Sequence, residues 1–466
     1  MAWTGSTCAT ASPDPLRELV EAAWQSSPEV AAARHRIQRT ETEAAGIRGF
    51  FDPRAALSVG ISDPAQDLFG LTLTGITPDD TAALQVGVET ALQPGFHVGI
   101  GAAQVRQLSD GEPSRDGTLL GARIRIPLAR DRGFRDWRAR RGRVEAAREA
   151  ARENYRAVTQ KVEKEVELRF IDWQHALAQR SVARAALDRA EQLFREAEEL
   201  VRLEAVPAYQ VHLARLEVAR RQEEETGAEG AIRSARIRME ERIGRPLGDR
   251  MEPLDFVVWG SQSGIPEKEP AEAFLSRRGD YGEQIWRVAE QAARLAEIRE
   301  TTRSDLSLQA GYVWDETGNR TGESGTESGG DVTLVWRKVL GDRTATSALR
   351  AQESAVREES EILRGLERER IAEAEEARAD FESAVKRFAW MADAESAARA
   401  ALAAEEERFR LGEGASRQVL DAQKDLTDML RRRNDLVADV LRARARYRYA
   451  TGLGGNTANS AVREKP

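Results

Sequence analysis

The stretch RLEAVPAYQV at positions 202–211 recurs in the second half of the chain as RLGEGASRQV at positions 410–419. Gln210 corresponds to Gln418, an offset of 208 residues. Each stretch ends a long segment without proline, in which apolar residues lie three or four apart, and opens a polar segment of about 35 residues. The sequence therefore predicts an internal duplication with a helix hairpin in each half.

The two halves differ in length upstream of these hairpins. LSVG at 57–60 corresponds to LQAG at 308–311, an offset of 251, so the first half holds 43 more residues between the paired points. This surplus suffices for two strands of about 9–11 residues with their turns. The alternative is that these 43 residues form a long external loop or an extended hairpin outside a membrane.

Each half contains one helix much longer than a globular domain is wide. No proline occurs from about 134 to 203, or from about 344 to 411. Seventy helical residues would span about 105 Å. In each half, the opening helix would stack end to end with the returning helix and form a second column beside the long helix. The opening helices are predicted over about 15–48 and 268–303. Because their apolar stripes can be buried only against other helices, we expect such units to assemble side by side.

Alternating apolar and polar residues predict strands between the opening and long helices. A Gly-, Ser- and Glu-rich segment at 317–330 is typical of an exposed hairpin loop. The predicted strands are 54–61, 84–88, 96–100 and 122–126 in the first half, and 305–313 and 331–336 in the second.

The pattern divides the chain into five segments. The segments are a disordered tail over 1–14, a first repeat over 15–247, a linker over 248–267, a second repeat over 268–454, and a disordered tail over 455–466.

Composition excludes several classes of function. A net charge of -8 gives no reason to expect nucleic-acid binding, and the single cysteine, Cys8, excludes an internal disulfide and a thiolate zinc cluster. The four histidines are isolated, and no nucleotide-binding or nucleophile motif occurs. We therefore predict no enzyme activity, no cofactor and no metal site. The N-terminus shows no secretory signal as written.

Five motifs occur along the chain: SPEVAAA at 27–33, FDP at 51–53, IPLARDRG at 126–133, RRGDY at 277–281 and VLDAQ at 419–423. In this order and spacing they resemble the outer membrane efflux protein family typified by TolC, over about residues 14–454. The motif RRGDY is similar to the Arg-Pro-Asp that opens the family's second repeat, with Gly279 in place of the proline.

The resemblance implies a mainly α fold with β: a duplicated TolC-like fold whose long antiparallel helices form an α-barrel, with a few strands contributed to a trimeric transmembrane β-barrel. It implies a homotrimer in outer-membrane lipid, with its helical part in the periplasm. An inner-membrane transporter and a periplasmic adaptor of a tripartite efflux or type I secretion system would deliver the substrate. The family barrel takes four strands per protomer, whereas six are predicted here.

The resemblance also implies that the helix hairpins form the periplasmic entrance and adaptor contact. In the family, two aspartates three residues apart can form an acidic ring, and the matching positions here are Gln418 and Asp421. Glu204 and Glu413 in the turns, and Gln210, complete the candidate set. The alternative function is a soluble coiled-coil scaffold or interaction protein, which would have no need of β-segments at matching positions in both halves.

Overall fold

The computed structural model describes residues 15–62, 81–93, 95–107, 115–203, 206–247, 256–261, 267–319, 324–411 and 416–453. The predicted tails at 1–14 and 455–466 and the turn residues Glu204 and Glu413 lie outside these ranges. Within the predicted linker, residues 256–261 form a short helix that buries Phe256.

The described helices follow the predicted order, with two subdivisions. The opening helix breaks at Ser27, just before Pro28, because a proline disfavours helical geometry in the residue that precedes it. The second long helix breaks at Trp390, which is 76% exposed. The helices are α1 (Pro15–Ser26), α2 (Pro28–Gly46), α3 (Arg135–Arg202), α4 (Tyr209–Ile243), α5 (Phe256–Ser261), α6 (Ala271–Leu275), α7 (Gly279–Thr301), α8 (Arg343–Ala389), α9 (Met391–Arg410) and α10 (Ser416–Ala450).

Six strands form a single antiparallel sheet in the order β1-β2-β3-β4-β5-β6. The predicted loop at 317–330 is wrong, because residues 317–319 and 324–330 belong to strands that pair with each other. The surplus of the first half is used for strands of this same sheet. The strands are β1 (Arg54–Ser62), β2 (Thr81–Leu92), β3 (Phe96–Gln107), β4 (Arg115–Pro127), β5 (Asp305–Asn319) and β6 (Ser324–Arg337).

The chain forms two compact units, each assembled from both sequence halves. One comprises Met1–His35, Arg152–Glu283 and Arg364–Pro466, and the other comprises Arg36–Ala151 and Gln284–Leu363. We call them the helical unit and the strand unit.

The helical unit repeats one packing arrangement. In the first repeat, Leu19 and Val20 of α1 are buried with Val162 of α3 and Met239 of α4. In the second repeat, apolar residues of α6, α8 and α10 form the equivalent cluster, which includes Phe274, Ala374 and Tyr447. The duplication read from the sequence is therefore also a duplication of the core.

The returning helices of the two repeats end in the same way. α4 is followed by Gly244 at φ 69° and α10 by Gly452 at φ 65°, a conformation that glycine adopts without steric cost. A Cβ at Gly244 would lie 2.6 Å from the Cβ of Ser26, and one at Gly452 would lie 2.8 Å from the Cβ of Arg277. Both glycines thus allow a close approach to the end of the short opening helix.

In the strand unit, the sheet continues into α3 through a tight junction. Asp131 and Phe134 have positive φ values of 58°, and Asp131 Oδ1 accepts a hydrogen bond from Asp136 N–H at 2.9 Å, in the first turn of α3. Phe134 packs edge-on against Phe50 and Phe51, with ring centres 5.1 and 5.6 Å away. This junction contains the IPLARDRG motif and fixes the direction in which β4 meets the helix.

Candidate functional site

The described residues of the candidate entrance lie near the starts of α4 and α10, in the helical unit. Gln418 and Asp421 are both exposed near the start of α10. The opposite side of the same helix buries Val419, Gln423 and Leu426, so α10 is clearly two-sided here. Residues three apart lie on one helical face, and Gln418 and Asp421 therefore point to the same side.

Gln210 has a different environment, although it occupies the position equivalent to Gln418. Its side chain is only 5% exposed, and its Oε1 accepts a hydrogen bond from Ser416 N–H at 3.3 Å. The first N–H groups of a helix have no partner within that helix, and Gln210 supplies one for α10. The structure therefore assigns Gln210 to a contact between the two hairpins within one chain.

Two further carboxylates extend the exposed face of α10. Asp425 and Asp428 are exposed and follow Asp421 by four and seven residues, so all three lie along one stripe. Sequence reasoning missed both, although their helical spacing from Asp421 was the available signal. The stripe also contains Lys424 at its border, so the charge along it is mixed.

The second candidate surface is the pair of faces of the six-stranded sheet. Residues directly opposite each other in antiparallel strands share a face, and the register Leu57↔Val86↔Ala102↔Leu120 follows one such row across β1 to β4. A second row on the same face continues Ile124↔Ala310↔Val332 across β4 to β6. Many large apolar side chains on this face are solvent-exposed in a single chain. They include Leu57, Val59, Leu84, Val86, Ile100, Leu120, Ile124, Tyr312, Val332, Leu334 and Trp336, at 42–76% exposure.

The other face of the sheet is polar towards the helix-bearing ends of the strands. Arg54 faces Glu89, and Arg125 faces Gln309. Arg123 donates a hydrogen bond to Gln309 Oε1, and Ser58 Oγ donates one to Gln85 Oε1 at 3.3 Å. The sheet is therefore apolar on one face and polar on the other. Its apolar face is exposed in a single chain, whereas a soluble protein buries such a face.

A buried ionic cluster in the helical unit was not identified as such from the sequence. Arg278, which is 1% exposed, donates two hydrogen bonds to Asp280, at 2.9 and 2.7 Å, and one to Glu373 at 3.1 Å. Arg370 lies 3.0 Å from the same Asp280 oxygen that accepts the shorter bond. Burial alone would raise the pKa of Asp280, but the hydrogen bonds and charges of the two arginines outweigh it and lower that pKa.

The same arginine holds the end of α10. Arg278 Nη1 donates to the carbonyl of Ala450 at 3.3 Å, and its guanidinium carbon lies 4.7 Å from the ring centre of Tyr449. The C-terminal carbonyls of a helix have no partner within it and carry partial negative charge, which a cation stabilises. The cluster thus connects α7, α8 and α10 at the RRGDY motif, and its role is to fix these helices.

The histidines form no common site. His175 Nε2 lies 2.9 Å from Asp435 Oδ1, a contact between α3 and α10. In the part of the chain that the structure describes, no group of three or more His, Cys, Asp and Glu side chains is arranged to hold a metal ion. None of the described helices is long and apolar enough to cross a membrane.

Comparison with known proteins gives matches among solved structures. No protein-family model matches the chain, and no curated protein sequence does so. The outer-membrane channel OprN superimposes with a TM-score of 0.67 at 16% identity, covering 95% of this chain and 91% of OprN. The outer membrane protein VceC of Vibrio cholerae gives 0.64 at 16% identity, covering 94% and 96% of the two chains. The CmeC outer membrane channel of Campylobacter jejuni gives 0.63 at 13%, covering 96% and 89%.

At these identities the likeness establishes the fold. The chain has the mainly helical, duplicated fold with antiparallel strands that these outer-membrane channels share, the TolC-like fold. The resemblance and the fold class predicted from the sequence are confirmed.

Proposed function

We propose that this chain is the outer-membrane channel of an efflux or secretion system, a passive exit duct rather than an enzyme. The observation that carries the proposal is the apolar face of the sheet. Leu57, Val59, Val332 and Leu334 are 63–76% exposed in one chain, and they belong to a band that crosses all six strands. In water such a band would drive aggregation, whereas lipid chains cover it at no hydrophobic cost.

The dimensions of the strands support a membrane location. A strand that crosses a bilayer at a tilt of about 45° needs about 9–11 residues. The six strands contain 9, 12, 12, 13, 15 and 14 residues. The polar face, with Arg54, Gln85 and Gln309, would then line an aqueous passage.

The same sheet disfavours the alternative of a soluble coiled-coil scaffold. A scaffold buries its apolar residues between helices, and the helical unit does so through clusters such as that of Phe170 and Val166. It would gain nothing from a separate sheet whose large apolar side chains face outwards.

The channel would act as a homotrimer with two partners. A sheet of six strands has two open edges, and open edges are not tolerated in lipid, so neighbouring copies must cover them. A periplasmic adaptor would contact the hairpin ends, where we place Glu204, Glu413, Gln418 and Asp421. An inner-membrane transporter would supply the energy and deliver the substrate.

The proposal is tested by localisation and assembly. Expressed behind a secretory signal peptide, the full chain should fractionate with the outer membrane and elute from mild detergent as a trimer. An epitope inserted between Asn319 and Ser324, at the β5–β6 connection, should be labelled on intact cells. A matched insertion directly after Trp390, at the α8–α9 break, should be labelled only after the outer membrane is permeabilised.

Some outcomes would contradict the channel itself, and another would contradict only its orientation. A stable monomer in mild detergent, or a chain recovered in the soluble fraction despite the signal peptide, contradicts the channel. Labelling of both epitopes only after permeabilisation contradicts the proposed orientation.

A further inference from the structure

The outer edges of the sheet determine how copies of this chain can join. β1 and β6 are its terminal strands, and among the described strands β1 pairs only with β2 and β6 only with β5. Every neighbouring pair is antiparallel and the strand number is even, so β1 and β6 run in opposite directions. Copies related by rotation about a common axis can therefore place β6 of one beside β1 of the next as a regular antiparallel pair.

Both edges carry the same two-sided pattern as the middle of the sheet. On β1 the apolar face presents Leu57 and Val59, and on β6 it presents Val332 and Leu334. The apolar band therefore reaches the outermost strand on each side without a polar interruption. A hairpin that folded aside from the membrane would not need this face on β1 and β2.

The sheet also has features that favour curvature around its polar face. Gly87, Gly101 and Gly121 are direct cross-strand partners, which gives a row without side chains on that face of β2, β3 and β4. Next to this row, Ala103 and Leu119 are 2% and 3% exposed, although Leu120 on the other face is 46% exposed. Glycines placed across a sheet allow it to bend, and the contrast in exposure indicates that it curls around the polar side.

We propose that all six strands of each protomer enter one barrel, closed by β6–β1 pairing between three copies. This inference rests on the trimeric channel proposed above and specifies its interface and its width. Six strands from each of three copies give a barrel of about 18 strands, in the range that encloses an open aqueous channel. The four strands per protomer implied by the family resemblance would give about 12.

The strand count sets the width of the exit. Barrel diameter grows roughly linearly with strand number, so the wider barrel should be about 1.5 times the diameter of the narrower one. With strands about 4.8 Å apart and tilted by about 40°, the backbone diameter is about 36 Å. Such a barrel would pass or hold bulkier solutes than the four-strand plan allows.

Disulfide trapping identifies which strands meet between protomers. Cys8 is the only cysteine, so a Cys8→Ser chain provides a clean background. Ser58→Cys on β1 is combined in turn with Asp331→Cys, Thr333→Cys or Val335→Cys on β6, since all four positions lie on the polar face. Three β6 positions are used because the register between copies is not fixed by one chain.

Two matched sets serve as controls. Ser58→Cys with Gln85→Cys joins residues opposite each other within one chain, and should form an intrachain disulfide without a ladder. Gly99→Cys on β3, combined with the same three β6 positions, tests the arrangement in which β1 and β2 lie outside the barrel and β3 is the edge. A Cβ at Gly99 would make only ordinary contacts, the nearest at 3.9 Å, so the substitution should be tolerated.

The expected result is a ladder of dimer and trimer from at least one β1–β6 pair in oxidised outer membranes, and none from the β3–β6 pairs. Cysteines whose Cα atoms are more than about 7 Å apart cannot be bridged, so only a true neighbour responds. A ladder from β3–β6 pairs, or a trimer that cross-links through neither set, overturns this inference and leaves the channel intact. A chain that stays monomeric in the membrane extract overturns the proposed function as well.

Discussion

Arg278 shows how a charged residue can be nearly fully buried without being left unpaired. Its guanidinium reaches two carboxylates, two backbone carbonyls and the ring of Tyr449. Taking a charge out of water is costly, and the cost is offset only where several partners are already in place. The residue therefore fixes three helices in one arrangement rather than serving as a mobile functional group.

Removing this guanidinium should strongly destabilise the helical unit. Arg278→Met removes the main cation of Asp280 and one of the two arginines beside Glu373, a change that typically costs about 3–5 kcal/mol. Arg370 still lies 3.0 Å from Asp280, so we expect the lower end of that range. The measurement is the urea midpoint of the helical circular dichroism signal of the detergent-solubilised protein. Arg17→Met, which removes an exposed pair with Glu21, should lower the free energy of unfolding by only about 0–1 kcal/mol and so shift that midpoint little. An equal shift in both variants would contradict the role of the cluster.

Acid should weaken the same cluster. Folding lowers the pKa of Asp280. The stabilisation from its ionised form is therefore fully present above the unfolded pKa of about 3.9, and it is lost as pH falls through the lower folded pKa. We therefore expect the stability advantage of the natural chain over Asp280→Asn to shrink as pH falls below about 4. Urea midpoints measured for both proteins from neutral pH downwards test this, and a constant difference would exclude Asp280 as the titrating group.

Single residues were the least predictable part of the molecule. Gln210 and Gln418 occupy equivalent positions in the repeat, yet one is buried against the start of α10 and the other is exposed. The difference depends on which helix lies beside each hairpin, and no local pattern encodes it. Asp425 and Asp428, in contrast, could have been found from helical spacing alone.

At the scale of elements, the long helices and the strand positions were predictable because their periodicities are strong. The segment at 317–330 was not, because glycine, serine and glutamate have low strand propensity. Its strand conformation depends on pairing with β5, where Tyr312 faces Gly330 and Trp314 faces Ser328. The break at Trp390 likewise has no proline or glycine to signal it.

The approach of α7 to α3 explains the departure from the Arg-Pro-Asp motif. A Cβ at Gly279 would lie 2.4 Å from Ala157 N and 2.6 Å from Glu153 O, both backbone atoms of α3. Gly279 N–H also donates a hydrogen bond to Gln160 Oε1 at 3.2 Å, which a proline could not do. The lack of space for a Cβ therefore requires glycine, and the hydrogen bond by itself excludes proline.

Gly279→Ala should separate the two helices and reduce stability. Overpacking of a well-packed contact typically costs about 1–3 kcal/mol, and here the obstacle is backbone that cannot rotate away. Gly365→Ala in α8 is a suitable control, because nothing lies within 4 Å of its added Cβ and alanine favours the helix. The prediction is a lower thermal midpoint for Gly279→Ala and an unchanged or higher one for Gly365→Ala. Equal midpoints for Gly279→Ala and the natural chain would contradict the close approach.

At the scale of the whole molecule, the duplication was readable but the compact units were not. The two repeats appear as equivalent clusters and as equivalent glycine-terminated helices, at Gly244 and Gly452. Each compact unit, however, collects segments from both halves, and such long-range association leaves no local signal in the sequence. The resemblance implied only that helices and strands form separate barrels, whereas the segments predicted from the sequence follow the two repeats.

In the proposed trimeric channel, the exposed face of α10 would be present in three copies. If Gln418 and Asp421 line the entrance, each position forms a ring of three side chains, and converging carboxylates attract cations and repel anions. Gln418→Asp then adds three carboxylates beside the three of Asp421. We expect stronger inhibition of conductance by divalent or trivalent cations in this variant, and weaker cation selectivity in Asp421→Asn. Both side chains are exposed, so neither change should disturb packing.

Single-channel recordings in planar bilayers, with and without a multivalent cation, test these two variants against the natural protein. Asp393→Asn in α9 is the matched control, because Asp393 is also exposed but lies 18 residues before Leu411, about 27 Å along a helix from the hairpin end. Its removal should leave selectivity and cation inhibition unchanged, since exposed charges separated by more than a Debye length of about 8–10 Å are largely screened. If Gln418→Asp and Asp421→Asn behave like the control, this face of α10 lies outside the conducting path. The hairpin residues would then serve only as a solvated surface or an adaptor contact.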